Sequence, residues 1–440
     1  MNNNINNNDP KTPDVKNIFN SIKEYMEKRR EKTYAKDENF HKAITPDHSL
    51  EKESKAETVI YRNGIDVRFL IYVIVLLCFG AVMSYSASYF NAGQKYGDSS
   101  YFIIRYIIFA LAAIAITIPF VMYARPWFWK CFGTITYIGS AFLLMVVLLN
   151  IPGISAEFNG AQRWIDLGFI TIQPSEFAKT GVVMMLAFYM SKYDDKLIND
   201  RNIKSEFQYG VFYPACIFGM ICVLVMLEKH ISGLMIIGML GIAVMYMGGT
   251  RTKWIFLIIG GIAVAGCLLI LVSDYAQTRV TTWLFLNNPD KVNPLGPAYQ
   301  TLQGLYAIGS GGFFGVGLGN SRQKYGYIPE PQNDFVFTII CEELGFFGAA
   351  LILVLISLLV IRGFKIAARA PDKYTSLLVF GLTFKVALQT AMNIAVVTNS
   401  MPNTGIALPF FSSGGTALAL QIFEMGIILS VSRLSTVKKK

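Results

Sequence analysis

Ten apolar runs of about twenty residues constrain this chain more than any other feature. They fall at approximately 69–90, 101–123, 132–150, 174–191, 209–227, 231–248, 253–273, 334–361, 376–398 and 413–433. As helices, runs of this length cross a hydrocarbon core of roughly 30 Å. Charged residues make up 15% of the chain, against about 25% in soluble domains. The reading is an all-α polytopic membrane protein of about ten transmembrane helices.

The net charge of +10 would suit nucleic acid, but its placement points to a membrane. With the N-terminus inside, the interior connections hold Arg125, Lys130, Lys192, Lys196, Arg201, Lys204, Arg251, Lys253, Arg362, Lys365, Arg369 and Lys373. The exterior ones hold Lys95, Arg163, Lys229, Arg279, Lys291, Arg322 and Lys324 over more residues. This positive-inside bias sets both termini in the cytoplasm and leaves no role for nucleic acid. None of the six cysteines forms a CxxC pair, so no disulfide or metal framework is expected.

The polar segment 1–68 reads as a mostly disordered cytoplasmic extension. Within it Ile18, Ile22 and Met26 make one apolar stripe that suits a membrane surface or a partner helix. The membrane domain covers 69–433, and 434–440 is a basic tail. Three exterior segments, 151–173, 274–333 (between the seventh and eighth spans) and 399–412, lie on one side. Connections as long as the second usually carry function.

Several polar residues invite chemistry. Pro174 suits a helix start, with Glu176 near the positive end of the helix dipole. Lys179 follows Glu176 by three, so spacing alone permits either a capped helix with an ion pair or a functional cluster. Lys385 and Glu424 each stand about nine residues from the inner end of their span; at 1.5 Å per residue they share a depth and are expected to face each other. That pair is structural or part of a gate. Glu342 and Glu343 lie in the outer third of the eighth span; one is expected to pair with Arg105, the other to face a cavity. GSGGFFGVGLGN (309–320) matches neither GxGxxG nor a Walker loop, and reads as backbone lying close to a surface or substrate. Asn333 or Asp334 is expected to cap the eighth helix. His230 reads as a hydrogen-bonded loop residue without chemistry.

Three strings together point further. NGAQRWIDLG…QPSEFAK (159–179), PLGPAYQTLQGLYAIGSGGFFGVGLGNSRQKYGYIPEPQNDFVFTIICEELGFFG (294–348) and NIAVVTNSMPNTGIALPFFSSGGTALAL (393–420) occur in order. They resemble the signatures of the SEDS family (shape, elongation, division and sporulation), the group of RodA, FtsW and SpoVE. The resemblance implies a peptidoglycan glycosyltransferase of the bacterial plasma membrane. Such proteins polymerise lipid II into glycan strands at the outer face, beside a class B penicillin-binding protein. For such a substrate Arg163, Glu176, Lys179, Gln300, Arg322, Lys324 and Glu330 are the candidate binding residues, the cations either serving the pyrophosphate or standing as exposed loop charges. A divalent cation, Mg or Mn, is left open. The family's catalytic Asp precedes a Pro–x–Gly–…–Tyr–Gln string; here Asn293 holds that place. An amide is no base at neutral pH, so Asp290, the nearest carboxylate, is expected to take the role. A lipid II flippase and a non-catalytic scaffold for the penicillin-binding protein are the rival readings.

Overall fold

The computed structural model describes residues 60–61, 64–151, 155–158, 161–168, 170–199, 202–286, 288, 292–293, 295–296, 298–434 and 436–437. The stripe of Ile18, Ile22 and Met26 lies outside these, as does Asp290.

Among the described residues ten long helices form the bundle: α1 Val67–Tyr96, α2 Tyr101–Tyr123, α3 Pro126–Leu148, α4 Pro174–Lys192, α5 Ile203–Leu227, α6 Ile231–Gly248 and α7 Thr252–Val272 come first. After a long connection carrying α8 Asp274–Leu284 and α9 Tyr299–Gly311 follow α10 Val336–Ala368, α11 Lys373–Val397 and α12 Gly415–Arg433. Among the described residues nine helices are long and apolar enough to cross a membrane; the tenth long helix, α4, carries Glu176 and Lys179. It can carry them because it is enclosed by α3, α5, α6 and α11. A helix buried by protein need not be apolar throughout. Burial is graded outward from this centre: 72% of the apolar window is buried in α11 and α12, but 6% in α7.

Local signals explain the boundaries. Pro126 and Pro174 open α3 and α4 at the position where a missing N–H costs nothing. Asp372 and Thr375 form a reciprocal capping box on α11. Asp66 Oδ1 accepts from Phe69 N–H and caps α1; the same carboxylate takes Arg362 Nε at 3.0 and 2.9 Å. Its own N–H donates to Ser432 Oγ, so α1, α10 and α12 are locked at one end of the bundle. A two-residue antiparallel pairing of Ile60–Tyr61 with Thr436–Val437 lies there as well. In α5 a π-turn, Gln208–Phe212, precedes Pro214. Proline withholds the bond that Gly210 O would receive, and Thr250 Oγ1 supplies it at 2.8 Å.

The opposite end carries the long connections, and they are more structured than the sequence suggests. Three short strands form an antiparallel sheet, β1 Ser155–Phe158, β2 Ala161–Asp166 and β3 Thr171–Ile172, in that order. Register pairs Ser155 with Ile165 and Ile165 with Ile172. α9 packs against α10, and the glycine string after it docks on a break in α10. Gly345 has φ 66° and ψ −168°, which interrupts the helix. Across the break Val316 and Gly317 donate N–H to Glu342 O and Glu343 O, while Phe346 N–H donates to Gly312 O. A Cβ on Gly311 would stand 1.9 Å from Cys341 O, and one on Gly315 2.2 Å from Glu343 O. The glycines thus serve backbone-to-backbone contact. Phe313, Phe314, Phe346 and Phe347 cluster beside the break with exposed rings, neighbouring centroids 5.4–6.3 Å apart.

Candidate functional site

Side chains at the loop end bind the separate segments into one surface. Arg279 Nη1 donates to Asn403 O at 2.9 Å and Trp283 Nε1 to Asn399 O at 3.0 Å, joining α8 to the segment after α11. Asn403 Nδ2 donates to Gln300 Oε1, and Gln300 Nε2 to Pro329 O. Asn393 Nδ2 reaches both Asp334 O and Ile406 O. Ser412 and Ser413 bond Asn333, and Thr416 Oγ1 donates to Thr171 O beside the sheet. Trp283, Phe285, Leu286, Asn288 and Asn399 line a cavity of ≈ 290 Å³ here.

Asn293 is exposed, and its Oδ1 accepts from Leu295 N–H at 2.9 Å. It caps its own turn, as asparagine does in loops. Asp334 sits nearer the bundle; burial pushes its carboxyl up to about 6, with its backbone N–H and Arg279 pulling it back. It caps nothing: Phe335 is the N-cap of α10 and no side chain bonds there. Asn333 is engaged by Ser413 instead. Glu330 is exposed in a left-handed turn, φ 46°, 3.8 Å from Lys95 and bonded by Asn333 Nδ2. Arg322 is exposed, its backbone N–H donating to Glu342 Oε1 at 2.9 Å.

Two expected pyrophosphate cations are placed differently. Lys324 is 2% exposed, and its Nζ lies 2.8 Å from Glu343 Oε1, 2.7 Å from Gly319 O and 3.1 Å from Ser86 Oγ. The loop doubles back at Ser321 and buries this lysine against the glutamate. Glu342, likewise buried, accepts from Ser321 Oγ and from the N–H groups of Arg322 and Gln323. The expected pairing of Arg105 with one of these glutamates is therefore corrected: the loop satisfies both, and Arg105 donates to Tyr101 Oη and lies over the Tyr101 and Phe109 rings. Lys179 is also enclosed, at 2%, with Nζ 2.5 Å from Glu176 Oε1. It belongs to the floor of the site and not to its rim. Below it Lys385 Nζ stands 2.5 Å from Glu424 Oε1, as their shared depth requires, and Thr180 Oγ1 donates to the same oxygen. Thr180, Ser86, Trp283 and Asn403 escaped the sequence reading. Thr180 alone had a signal, since it shares a helical face with Glu176 four residues earlier.

Arg163, half-buried on β2, donates Nη2 to Lys229 O at 2.6 Å and so pins the sheet to the α5–α6 turn. That turn holds two strongly perturbed groups. Burial drives the His230 imidazole down to about 3, with Arg163 and Lys179 acting the same way. Burial also pushes the Glu228 carboxyl up to about 8 against the pull of Arg163. In the unfolded chain Glu228 ionises near 4.5. Between those values the unfolded chain has released a proton that the folded chain keeps, so stability falls as pH rises from about 4.5 to about 8. Glu228→Gln is expected to match the parent in melting temperature near pH 4 and to exceed it at pH 8. Parallel melts in detergent check this; equal melting at both pH values would mean the carboxyl is solvated.

Fold and site define a polytopic membrane protein whose polar groups gather under stitched loops at one end of the bundle. The family model described as cell cycle protein, covering FtsW, RodA and SpoVE, matches residues 67–437, and the chain belongs to this family. It is 40% identical over 377 residues to stage V sporulation protein E of Bacillus subtilis (strain 168), covering 85% of this chain and 98% of that protein. It is 34% identical over 371 residues to the probable peptidoglycan glycosyltransferase FtsW of Geobacter sp. (strain M18), covering 84% and 97%. The fold is similar to that of the rod shape determining protein RodA of Thermus thermophilus, with TM-score 0.60, 23% identity and coverage of 84% and 97%. A chain of a peptidoglycan synthase complex that coordinates polymerization and crosslinking matches with TM-score 0.66, 24% identity and coverage of 84% and 98%.

Proposed function

We propose that this chain is a peptidoglycan glycosyltransferase that polymerises lipid II, with its loop end at the outer face of the membrane, both termini in the cytoplasm and a class B penicillin-binding protein as partner. Family membership supports the activity, and one structural observation carries its location. Arg279, Trp283, Gln300 and Asn403 join the long connection to the segment after α11, making a single polar surface over the cavity. A glycosyl transfer needs a carboxylate to take the proton of the attacking hydroxyl and donors for the departing diphosphate. The hydroxyl oxygen bonds to the anomeric carbon as the bond to the diphosphate oxygen breaks. Exposed Arg322 and half-buried Arg163, which also holds Lys229 O, are the candidate cations for that diphosphate, and Gln300 and Glu330 border the surface.

Asp290 is the proposed base. The engagement of Asn293 in its own turn supports this, because Asn293 then serves backbone geometry. The described residues contain no group of three His, Cys, Asp or Glu side chains placed to hold a divalent cation. The test is glycan polymer from labelled lipid II, made by the full chain with its penicillin-binding protein. Asp290→Ala is expected to abolish polymer, a loss of about a hundredfold or more, while Asn293→Ala keeps most of it. Polymer that survives Asp290→Ala removes the base assignment; none from the unsubstituted chain favours transport or scaffolding.

A further inference from the structure

Four charges of α4, α11 and α12 form two closed pairs inside the bundle, Glu176–Lys179 and Lys385–Glu424. Their exposure is uneven. The Glu176 side chain is 16% exposed, against 2% for Lys179, 2% for Lys385 and 0% for Glu424. Glu176 is thus the one charge of the four that reaches toward the loop end, as the third residue of α4. The other three lie behind it.

A hydroxyl links the second pair to the backbone of the first, since Thr180 Oγ1 lies 3.5 Å from Glu176 O. Thr180, next to Lys179 on α4, donates to Glu424 Oε1, the oxygen that Lys385 of α11 also holds. One carboxylate oxygen of α12 therefore fixes both neighbouring helices. The other oxygen, Oε2, is buried without a partner, so Glu424 spends its charge on this one junction. Lys385 and His230 are close enough to Glu176 to act on its charge, and Glu424 acts on Lys179. Lys385 acts on Lys179 as well, so the two carboxylates and two ammoniums form one coupled cluster with Glu176 at its most exposed corner.

We propose that Lys385 and Glu424 are positioning residues for Glu176, acting through Thr180 and Lys179 to hold that carboxylate as a fixed anion at the floor of the glycosyl-transfer site. By matching Lys385, Glu424 leaves Lys179 to Glu176 alone. With Glu424 neutral, two buried ammoniums compete for one carboxylate, and Glu176 turns inward. The carboxylate so presented accepts hydrogen bonds from hydroxyl or amide donors of the lipid-linked sugar. This rests on the reading of the loop end as the transfer site.

The test uses the full chain with its penicillin-binding protein and labelled lipid II, with rates taken on the monodisperse fraction only. Glu424→Gln is expected to lower kcat by about tenfold to a hundredfold, the size of effect a misplaced group has, with KM little changed. Adding Lys385→Met removes the surplus charge. A buried ion pair replaced by apolar residues commonly costs little stability, so the double variant is expected to fold and to regain most of kcat. Glu424→Asp keeps the charge and most of the rate. Thr180→Val, nearly isosteric, removes only the link and is expected to lower kcat in the same direction. Unchanged kcat in Glu424→Gln and Thr180→Val, or a loss that Lys385→Met leaves in place, overturns the positioning role. A Glu176→Gln variant that polymerises like the parent overturns instead the placement of Glu176 in the site.

Discussion

Lys324→Met is expected to destabilise the folded chain by about 3–5 kcal/mol, the cost of leaving one partner of a buried ion pair unmatched. Both partners are nearly sealed, with 3% of the Lys324 side chain and 0% of Glu343 exposed. Ser86 Oγ and Ser321 N–H would still bond the glutamate, but hydroxyl and amide dipoles do not cancel a charge in low dielectric. The pair also carries topology. Lys324 belongs to the connection, Glu343 to α10 and Ser86 to α1, so breaking it frees three segments together. Thermal unfolding in detergent measures the loss. A companion variant, Lys324→Met with Glu343→Leu, is expected to recover much of it. A single variant that melts with the parent would mean that water reaches Glu343.

Gly345→Ala is the second large effect. The backbone there, φ 66° and ψ −168°, lies in a region that only glycine occupies cheaply; other residues lose about 1–3 kcal/mol from the conformation alone. A Cβ would also stand 2.3 Å from Gly315 N and 2.6 Å from Phe313 O. Those atoms belong to the glycine string docked on the break, so relief requires the string to lift away. The expected result is a lower melting temperature together with faster proteolysis within 311–319. A variant that melts normally and resists protease would show that the break tolerates a continuous helix.

Most of the bundle was legible because a membrane allows few solutions to a run of twenty apolar residues. The Lys385–Glu424 contact followed from depth alone, since two helices of known direction align their residues by rise. The break in α10 left no such trace. Gly345 sits in an apolar run where glycine ordinarily means close helix packing, and its positive φ is imposed by a loop thirty residues earlier in the chain. Lys324 misled for the same reason: beside glycines it reads as an open cation, and only the doubling back at Ser321 buries it. The strands of 155–172 were hidden because two-to-six-residue strands show too little alternation to register. The base remains the least legible residue, as Asn293 departs from the family and Asp290 lies outside the described residues.

Phe313, Phe314, Phe346 and Phe347 give the connection before α10 a mechanical role. Phe313 and Phe314, on a segment otherwise counted as extramembrane, join Phe346 and Phe347 of α10 in an apolar collar of four exposed rings around the break. Moving each ring from lipid to water costs about 1.5–3 kcal/mol, so the collar acts as a float line. Seated in lipid, such a collar would set how deep the bundle rides in the bilayer, and with it the height at which the stitched surface meets the head group of any lipid-borne substrate.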